Sequence, residues 1–248
     1  MCRLIGSPTV DASDTRRYIA RMPQEQTERV ELIRPAATVL VLRDAAAGLE
    51  TLLLKRARKL AFFGGAWVFP GGAVDPEDGD LERDLPTAAR QAAVRELHEE
   101  AGLVVPAESL VGFARWLTPP GQARRFDTFY FAVSAPDADV HVDPNEAEEF
   151  AWFTASAALA ARARAELELP PPTFVTLSQL SEARSVADAF RVLGAEAIHY
   201  IPRMCPVADG SVHLYTEDAG YEAGDPEIAG ARHRLSLLRA GWHYERSR

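Results

Sequence analysis

Nine consecutive residues, Arg95-Glu96-Leu97-His98-Glu99-Glu100-Ala101-Gly102-Leu103, concentrate the chemistry of this sequence. On a helix turning about 100° per residue, Glu96, Glu99 and Glu100 share an arc of roughly 100°. Ala93, Val94, Leu97 and Ala101 fill the neighbouring arc and suit a buried core. Like charges four residues apart cost a helix a few tenths of a kcal/mol. Carboxylates near a helix C-terminus also oppose its dipole. The crowding is relieved when a cation sits among the oxygens, and clustered carboxylates suit a hard ion, Mg²⁺ or Mn²⁺. The competing reading is a solvated acidic face. Two features weigh against it: Gly102 stops the helix sharply, and Pro70-Gly71-Gly72 lies upstream, where a glycine pair lets backbone approach a ligand closely.

The elements around this patch follow from pattern. The apolar run 36–42, opened by Pro35, reads as a buried strand, and 50–56 as its partner across the turn 45–48. Residues 67–69 form a third short strand, stopped by Pro70-Gly71-Gly72. An acidic loop follows over 75–84, with six acids and one Arg. Residues 87–101 are the clearest helix, Ala-rich, with Pro86 and Thr87 at its start and Gly102 at its end. Strands are expected at 110–117, 126–134 and 149–153, and a second helix at 155–168. Pro170-Pro171-Pro172 reads as a breaker and subdomain edge. Residues 173–193 look helical, and 194–248 read as loop and short strands. Residues 1–33 form an N-terminal arm, within which 14–22 suit a short helix.

Composition narrows the classes. The chain has 248 residues, 47% hydrophobic and 25% charged, which is ordinary for a globular protein with a sizeable core. No apolar run is long enough for a membrane span. The first 17 residues lack an apolar stretch and carry Asp11 and Asp14, against a secretory or transit leader. A net charge of −9 is the wrong sign for a general nucleic-acid binder. An anionic small molecule remains compatible if a divalent metal supplies positive charge. Cys2 and Cys205 build neither a disulfide framework nor a zinc site, and read as free thiols in a reducing, cytoplasmic setting. Association as a homodimer is compatible with the sequence.

The sequence resembles the Nudix hydrolases, whose signature is G-x5-E-x7-R-E-U-x-E-E-x-G-U, with U a bulky aliphatic. Arg95, Glu96, Leu97, Glu99, Glu100, Gly102 and Leu103 match its second half in full. Phe69-Pro70-Gly71-Gly72 is similar to the family's entry to the motif. The first half departs. The family places Arg 14 residues after the glycine, whereas Arg95 stands 23 after Gly72, so nine residues are inserted, most simply between Asp75 and Leu85. The family's first Glu then lacks a clear counterpart, with Asp75 as the candidate substitute. This split signature resembles the branch that holds the coenzyme A diphosphatases, over about residues 34–165.

The resemblance implies an α+β fold, a Nudix-type α/β/α sandwich with a mixed β-sheet, plus a C-terminal helical and irregular extension. It divides the chain into an arm (1–33), a Nudix domain (34–169) and an extension packed on it (170–248). It implies an Mg²⁺-dependent hydrolase, with Mn²⁺ as substitute, acting on a small nucleoside diphosphate derivative. Glu96, Glu99, Glu100 and the carbonyl of Gly72 would hold the metal. Glu99 or Glu100 would hold or deprotonate the attacking water. Arg95 would orient the glutamates, although a surface pair with Glu99 explains it equally well. Glu146, Glu148 and Glu149 lie where some family members take a base or a further ligand, and otherwise read as a solvated cluster. Arg124 and Arg125 could clamp phosphate, and Trp67, Trp116 and Phe126 could stack on a base, though such aromatics more often belong to a core.

Coenzyme A-cleaving members often carry L-L-T-x-R-S-x3-R-x3-G-x3-F-P-G-G before the signature. Aligned on Arg56, Gly65 and Phe69 fall at that spacing, while the T and S positions differ and Ala61 replaces the second Arg. Arg56 is therefore the candidate substrate contact. ADP-ribose and NADH remain alternative substrates. So does a non-catalytic Nudix-fold metabolite sensor, although residues 170–248 carry 8 Arg against 10 acids, unsuited to DNA.

Overall fold

The strand that backs the whole molecule is apolar on both faces. In β1 (Ile33–Ala45), Ala37, Val39 and Val41 point one way and Leu40 and Leu42 the other, all fully buried. Period-two alternation with both sets buried requires cover on both sides of the sheet. One cover is α1 (Leu85–Ala101); the other comprises α2 (Ala155–Ala163), α3 (Pro171–Leu180), α4 (Val186–Leu193) and C-terminal strands. The computed structural model describes residues 32–59, 63–122, 124–194 and 196–247. The expected arm up to residue 31, with Cys2, Asp11, Asp14 and the helix over 14–22, lies outside the described residues, as does Ala61. Residues Ile33–Arg248 form one compact unit.

β1 pairs antiparallel with β2 (Gly48–Arg56) and parallel with β6 (Arg125–Ser134). β3 (Trp67–Val68) and β7 (Ala147–Phe153) pair with β2, and β5 (Val111–Leu117) with β6. Edge strand β8 (Ile198–Tyr200) runs parallel to β5. The sheet is thus mixed and eight-stranded, and the fold is the expected α+β sandwich. Its eighth member, β4 (Gly71–Ala73), pairs with Ala36–Thr38 of β1 exactly where the Pro-Gly-Gly run reads as a stop. Two glycines offer no apolar pattern, so only the partner backbone reveals this strand.

α1 starts on Asp84, whose carboxylate accepts the Thr87 N–H at 3.2 Å. It ends on Gly102 in the left-handed region (φ 71), with the Gly102 N–H donating to the His98 carbonyl. Ala88, Ala89, Ala92, Ala93, Leu97 and Ala101 form its buried stripe, and small side chains let the helix lie close to the sheet. α2 is shorter than the expected 155–168. It closes at Ala163, and Ala165 takes a positive φ (58), a stop without glycine that patterning does not signal. Residues 173–193 divide into α3 and α4. Pro171 opens α3 as a first-turn residue, so the triple proline starts a helix.

The stretch 194–248 is more regular than loop and short strands. β9 (Arg203–Val207), β10 (Gly210–Leu214), β11 (His233–Leu238) and β12 (Gly241–Arg246) form a second, antiparallel four-stranded sheet. It meets the main sheet through Tyr215, just after β10, whose ring stands edge-on to Trp116 and Tyr200 of the main sheet, themselves stacked 3.9 Å apart at 3°. Among the described residues, no helix is long and apolar enough to cross a membrane.

Candidate active site

The glycine pair of β4 decides how close the carboxylates come to the backbone. A Cβ on Gly71 (φ +154) would lie 2.3 Å from the Ala37 carbonyl oxygen, and one on Gly72 2.4 Å from Glu96 Oε1. Neither position tolerates a side chain without movement. The bare backbone lets the Gly71 N–H donate to Glu100 Oε2 at 2.8 Å and sets Gly72 directly against the Glu96 carboxylate. Both acids are buried, Glu96 at 9% and Glu100 at 4% exposed.

A third carboxylate arrives from the turn before β7. Oxygens of Glu96, Glu100 and Glu146 all lie within 4.8 Å of one another. The sheet register explains why Glu146 alone of the three acids here joins them. Lys55 Nζ binds Glu149 at 2.6 Å, and the Arg58 N–H donates to Glu148 at 3.0 Å. The Ala57 N–H holds the Glu146 carbonyl at 2.8 Å, which anchors the turn and leaves its carboxylate facing Glu100.

Burial and like charge act together here. Burial, above all, pushes the Glu100 carboxyl up to about 8; Glu146 and Glu96 add to the rise, against the Gly71 N–H and the Arg56 charge. Burial likewise raises Glu96, with Glu99 and Glu146 adding and Arg95 opposing. Oxygens this crowded and desolvated stay ionised when a cation shares them. The donor set, three carboxylates beside the Gly72 backbone, therefore fits a hard divalent ion.

Arg95 is the bracket behind these acids. Its guanidinium donates to both Asp78 oxygens at 2.9 and 2.8 Å, to Glu96 at 2.8 Å, to Glu99 at 3.0 Å and to the Ala73 carbonyl at 3.0 Å. Burial alone would raise Asp78; the Arg95 bonds and the Asp75 N–H outweigh it and hold the carboxyl low. Asp78 stands six residues after Gly72, the spacing that the signature sets for its first acid. The inserted residues thus follow Asp78. Asp75, the expected substitute, is 60% exposed at its side chain and stands 3.8 Å from Arg95.

The other expected residues fall in different places. Glu99 lies outside the close trio, with its side chain 51% exposed and paired with Arg95. Arg56 ends β2 near enough to act on Glu100, and its buried Nε has no partner among the described residues. Trp67 is 7% exposed, its ring edge-on to Phe153 at 5.4 Å, so it packs in the core. Trp116 is likewise buried. Arg125 begins β6, its Nε on the Thr118 carbonyl at 2.9 Å. Glu146 is the site residue that sequence alone could not separate from its acidic neighbours.

A family model described as the NUDIX domain matches residues 32–174. A putative nudix hydrolase of Caenorhabditis elegans is 26% identical over 171 residues, covering 54% of this chain and 57% of that protein. The chain thus spans little more than half of that relative's length. An acyl-coenzyme A diphosphatase of Xenopus laevis is 24% identical over 282 aligned positions, covering 74% of each protein. The structure of a NUDIX hydrolase from Alicyclobacillus acidocaldarius superposes with a TM-score of 0.60 at 25% identity, covering 68% of this chain and 100% of that one.

Proposed function

The chain belongs to the Nudix hydrolase family, and from that premise we propose that it hydrolyses the diphosphate of a nucleoside diphosphate linked to another moiety, with coenzyme A or an acyl-coenzyme A as the leading substrate class. The observation that carries the reading is the convergence of Glu96, Glu100 and Glu146 beside a bare glycine backbone.

Water oxygen attacks one phosphorus, the anhydride P–O bond breaks, and its electron pair leaves with the other phosphate. A divalent cation, Mg²⁺ or Mn²⁺, supplies charge neutralisation at the phosphates. Glu96, Glu100, Glu146 and the Gly72 carbonyl are the groups to hold it, with Glu99 at the exposed rim. Glu99 or Glu100 positions the water and accepts its proton. Arg95 touches no reacting atom in this reading; through its bonds to Asp78, Glu96 and Glu99 it keeps the acids in place. Arg56, the positive side chain beside Glu100, is placed to meet a substrate phosphate.

Support for coenzyme A comes from the Arg56-Gly65-Phe69 spacing and from the partial likeness to an acyl-coenzyme A diphosphatase. ADP-ribose and NADH are the runners-up. The deciding experiment is a screen of diphosphate compounds with Mg²⁺, with products identified by mass. Coenzyme A should yield 4′-phosphopantetheine and 3′,5′-ADP. Tight binding without turnover of any compound would replace the enzyme by a sensor.

A further inference from the structure

Glu146 differs from its two partners in the carboxylate cluster. Glu96 and Glu100 are buried and lie on a long helix, whereas Glu146 is exposed and lies in a turn. An exposed glutamate beside two other carboxylates swings towards water unless its backbone is held, because like charges repel and its side chain gains rotamer freedom in solvent. The chain holds it from both sides. After Glu146, the Ala57 N–H binds its carbonyl at 2.8 Å and ties it to the end of β2. Before it, the segment between β6 and β7 runs past the C-terminus of α1. The His141 N–H donates to the Ala101 carbonyl at 2.9 Å, and Val140 and Val142 pack against the core that includes Leu97 and Ala101. The approach is close: a Cβ on Gly102 would stand 3.2 Å from the His141 Cβ. The helix that carries Glu96 and Glu100 thus also anchors the segment that delivers Glu146.

A single turn, Asp143-Pro144-Asn145-Glu146, spans the rest of the way. The Asp143 carbonyl accepts the N–H groups of Glu146 at 3.0 Å and Ala147 at 2.9 Å. Its side chain closes the same turn: Asp143 Oδ1 accepts the Asn145 N–H at 2.8 Å and Asn145 Nδ2 at 3.1 Å. An aspartate that binds the backbone two residues on sets a turn by itself, without a neighbouring strand. Pro144 stiffens it by fixing its own φ and by keeping Asp143 out of the helical region. Asp143 is not a member of the close carboxylate group, so its oxygens serve the turn rather than the cluster.

We propose that Asp143 is a positioning residue for the third carboxylate: by closing this turn it holds Glu146 against Glu100 before any cation arrives, and so sets the affinity of the cluster for a divalent ion. The inference rests on the reading of the carboxylates as a cation site and deepens it. It assigns a share of the cation affinity to a residue that touches neither cation nor substrate.

The test is calorimetric binding of Mn²⁺, without substrate, to the full chain and to Glu146→Gln, Asp143→Ala, Asp143→Asn and Pro144→Gly, with melting curves in EDTA to show that each variant is folded. Groups that orient metal ligands are typically worth about 10–100-fold in metal affinity. Asp143→Ala and Glu146→Gln should each weaken Mn²⁺ binding by about tenfold or more. Asp143→Asn, whose amide oxygen still accepts the Asn145 N–H, should restore binding nearly to that of the parent. Pro144→Gly keeps the hydrogen bonds of the turn but loosens it, and should weaken binding severalfold. Should Asp143→Ala fail to fold, Pro144→Gly decides, and binding indifferent to it overturns the proposal. A lower melting temperature in Asp143→Ala with unchanged Mn²⁺ affinity overturns it too, because that is the signature of a structural role alone. So does an equal loss in Asp143→Asn, which would make the charge responsible rather than the turn, and so does binding indifferent to Glu146→Gln. A parent protein that binds no Mn²⁺ overturns both the proposal and the cation site. Hydrolysis of coenzyme A with Mg²⁺ is measured separately: the expected Mn²⁺ pattern with no turnover of any diphosphate overturns the enzyme reading and leaves the role of Asp143 standing.

Discussion

Glu100 and Asp218 are buried to almost the same degree, 4% and 5% exposed, and they end in opposite states. Asp218, in the loop between β10 and β11, receives Arg234 on both oxygens at 2.7 and 2.6 Å. It also accepts the N–H groups of His233 and Gly220, each at 2.9 Å. Burial opposes its charge, but these four donors overcome burial, and its carboxyl is held low. Glu100 has one backbone donor and two acidic neighbours, and burial pushes it up to about 8. The first carboxylate is complete within the chain and ties the C-terminal sheet together. The second is left incomplete within the chain, which is what the proposed cation site requires.

The sharpest test of this contrast is Glu100→Gln. It should lower Mg²⁺-dependent turnover by about a thousandfold or more. In EDTA its melting temperature should be unchanged or higher, because a neutral amide removes a buried like charge. Thermal melts beside steady-state rates check this; a large drop in stability would make Glu100 a structural residue. Asp218→Ala should do the reverse. Arg234 would lose both its bonds to the Asp218 carboxylate in the interior, at a cost of about 3–5 kcal/mol. Denaturant unfolding should show that loss, with activity per folded molecule retained.

His233 sharpens the contrast through pH. Its side chain is fully buried next to the Asp218 loop; burial first, then Arg246, lower it to about 4, against Glu217 and Asp218. Between the ordinary 6.5 and 4, the unfolded chain binds a proton that the folded chain refuses. Stability therefore falls as pH drops through that window and levels off below it, by about 3 kcal/mol for this group. Unfolding curves from pH 7 to 4 should lose that part of their slope in His233→Phe. The smallest effect belongs to Arg164→Ala. Arg164 pairs with Glu166 at 2.8 Å in full solvent, where screening and side-chain entropy cancel most of the gain. No measurable shift of melting temperature is expected.

Much of the fold and part of the site are legible before any coordinates. The strand at 36–42 and the helix at 87–101 follow from local periodicity, and the expected and observed spans differ by a few residues at the ends. The helix 155–168 runs five residues short because its stop, the positive φ of Ala165, has no glycine to announce it. Asp78 was within reach: counting six residues from Gly72 finds it, provided that the insertion is placed after it rather than around it. Glu146 was not within reach. It is 46 residues from Glu100, and its two acidic neighbours are of the same type. Only the pairing of β2 with β7 assigns Lys55 to Glu149 and Arg58 to Glu148 and leaves Glu146 to the cluster. Trp67 shows the opposite limit, since residue type does not tell a stacking platform from a core ring.

The amino-acid sequence by itself determined the crowded carboxylate helix and its glycine stop, because these depend on spacing along a single element. Tertiary structure alone decided which acids meet, which are neutralised and which rings are spent on packing. Those outcomes depend on the register between distant strands and on burial, and burial is what separates Glu100 from an ordinary surface glutamate.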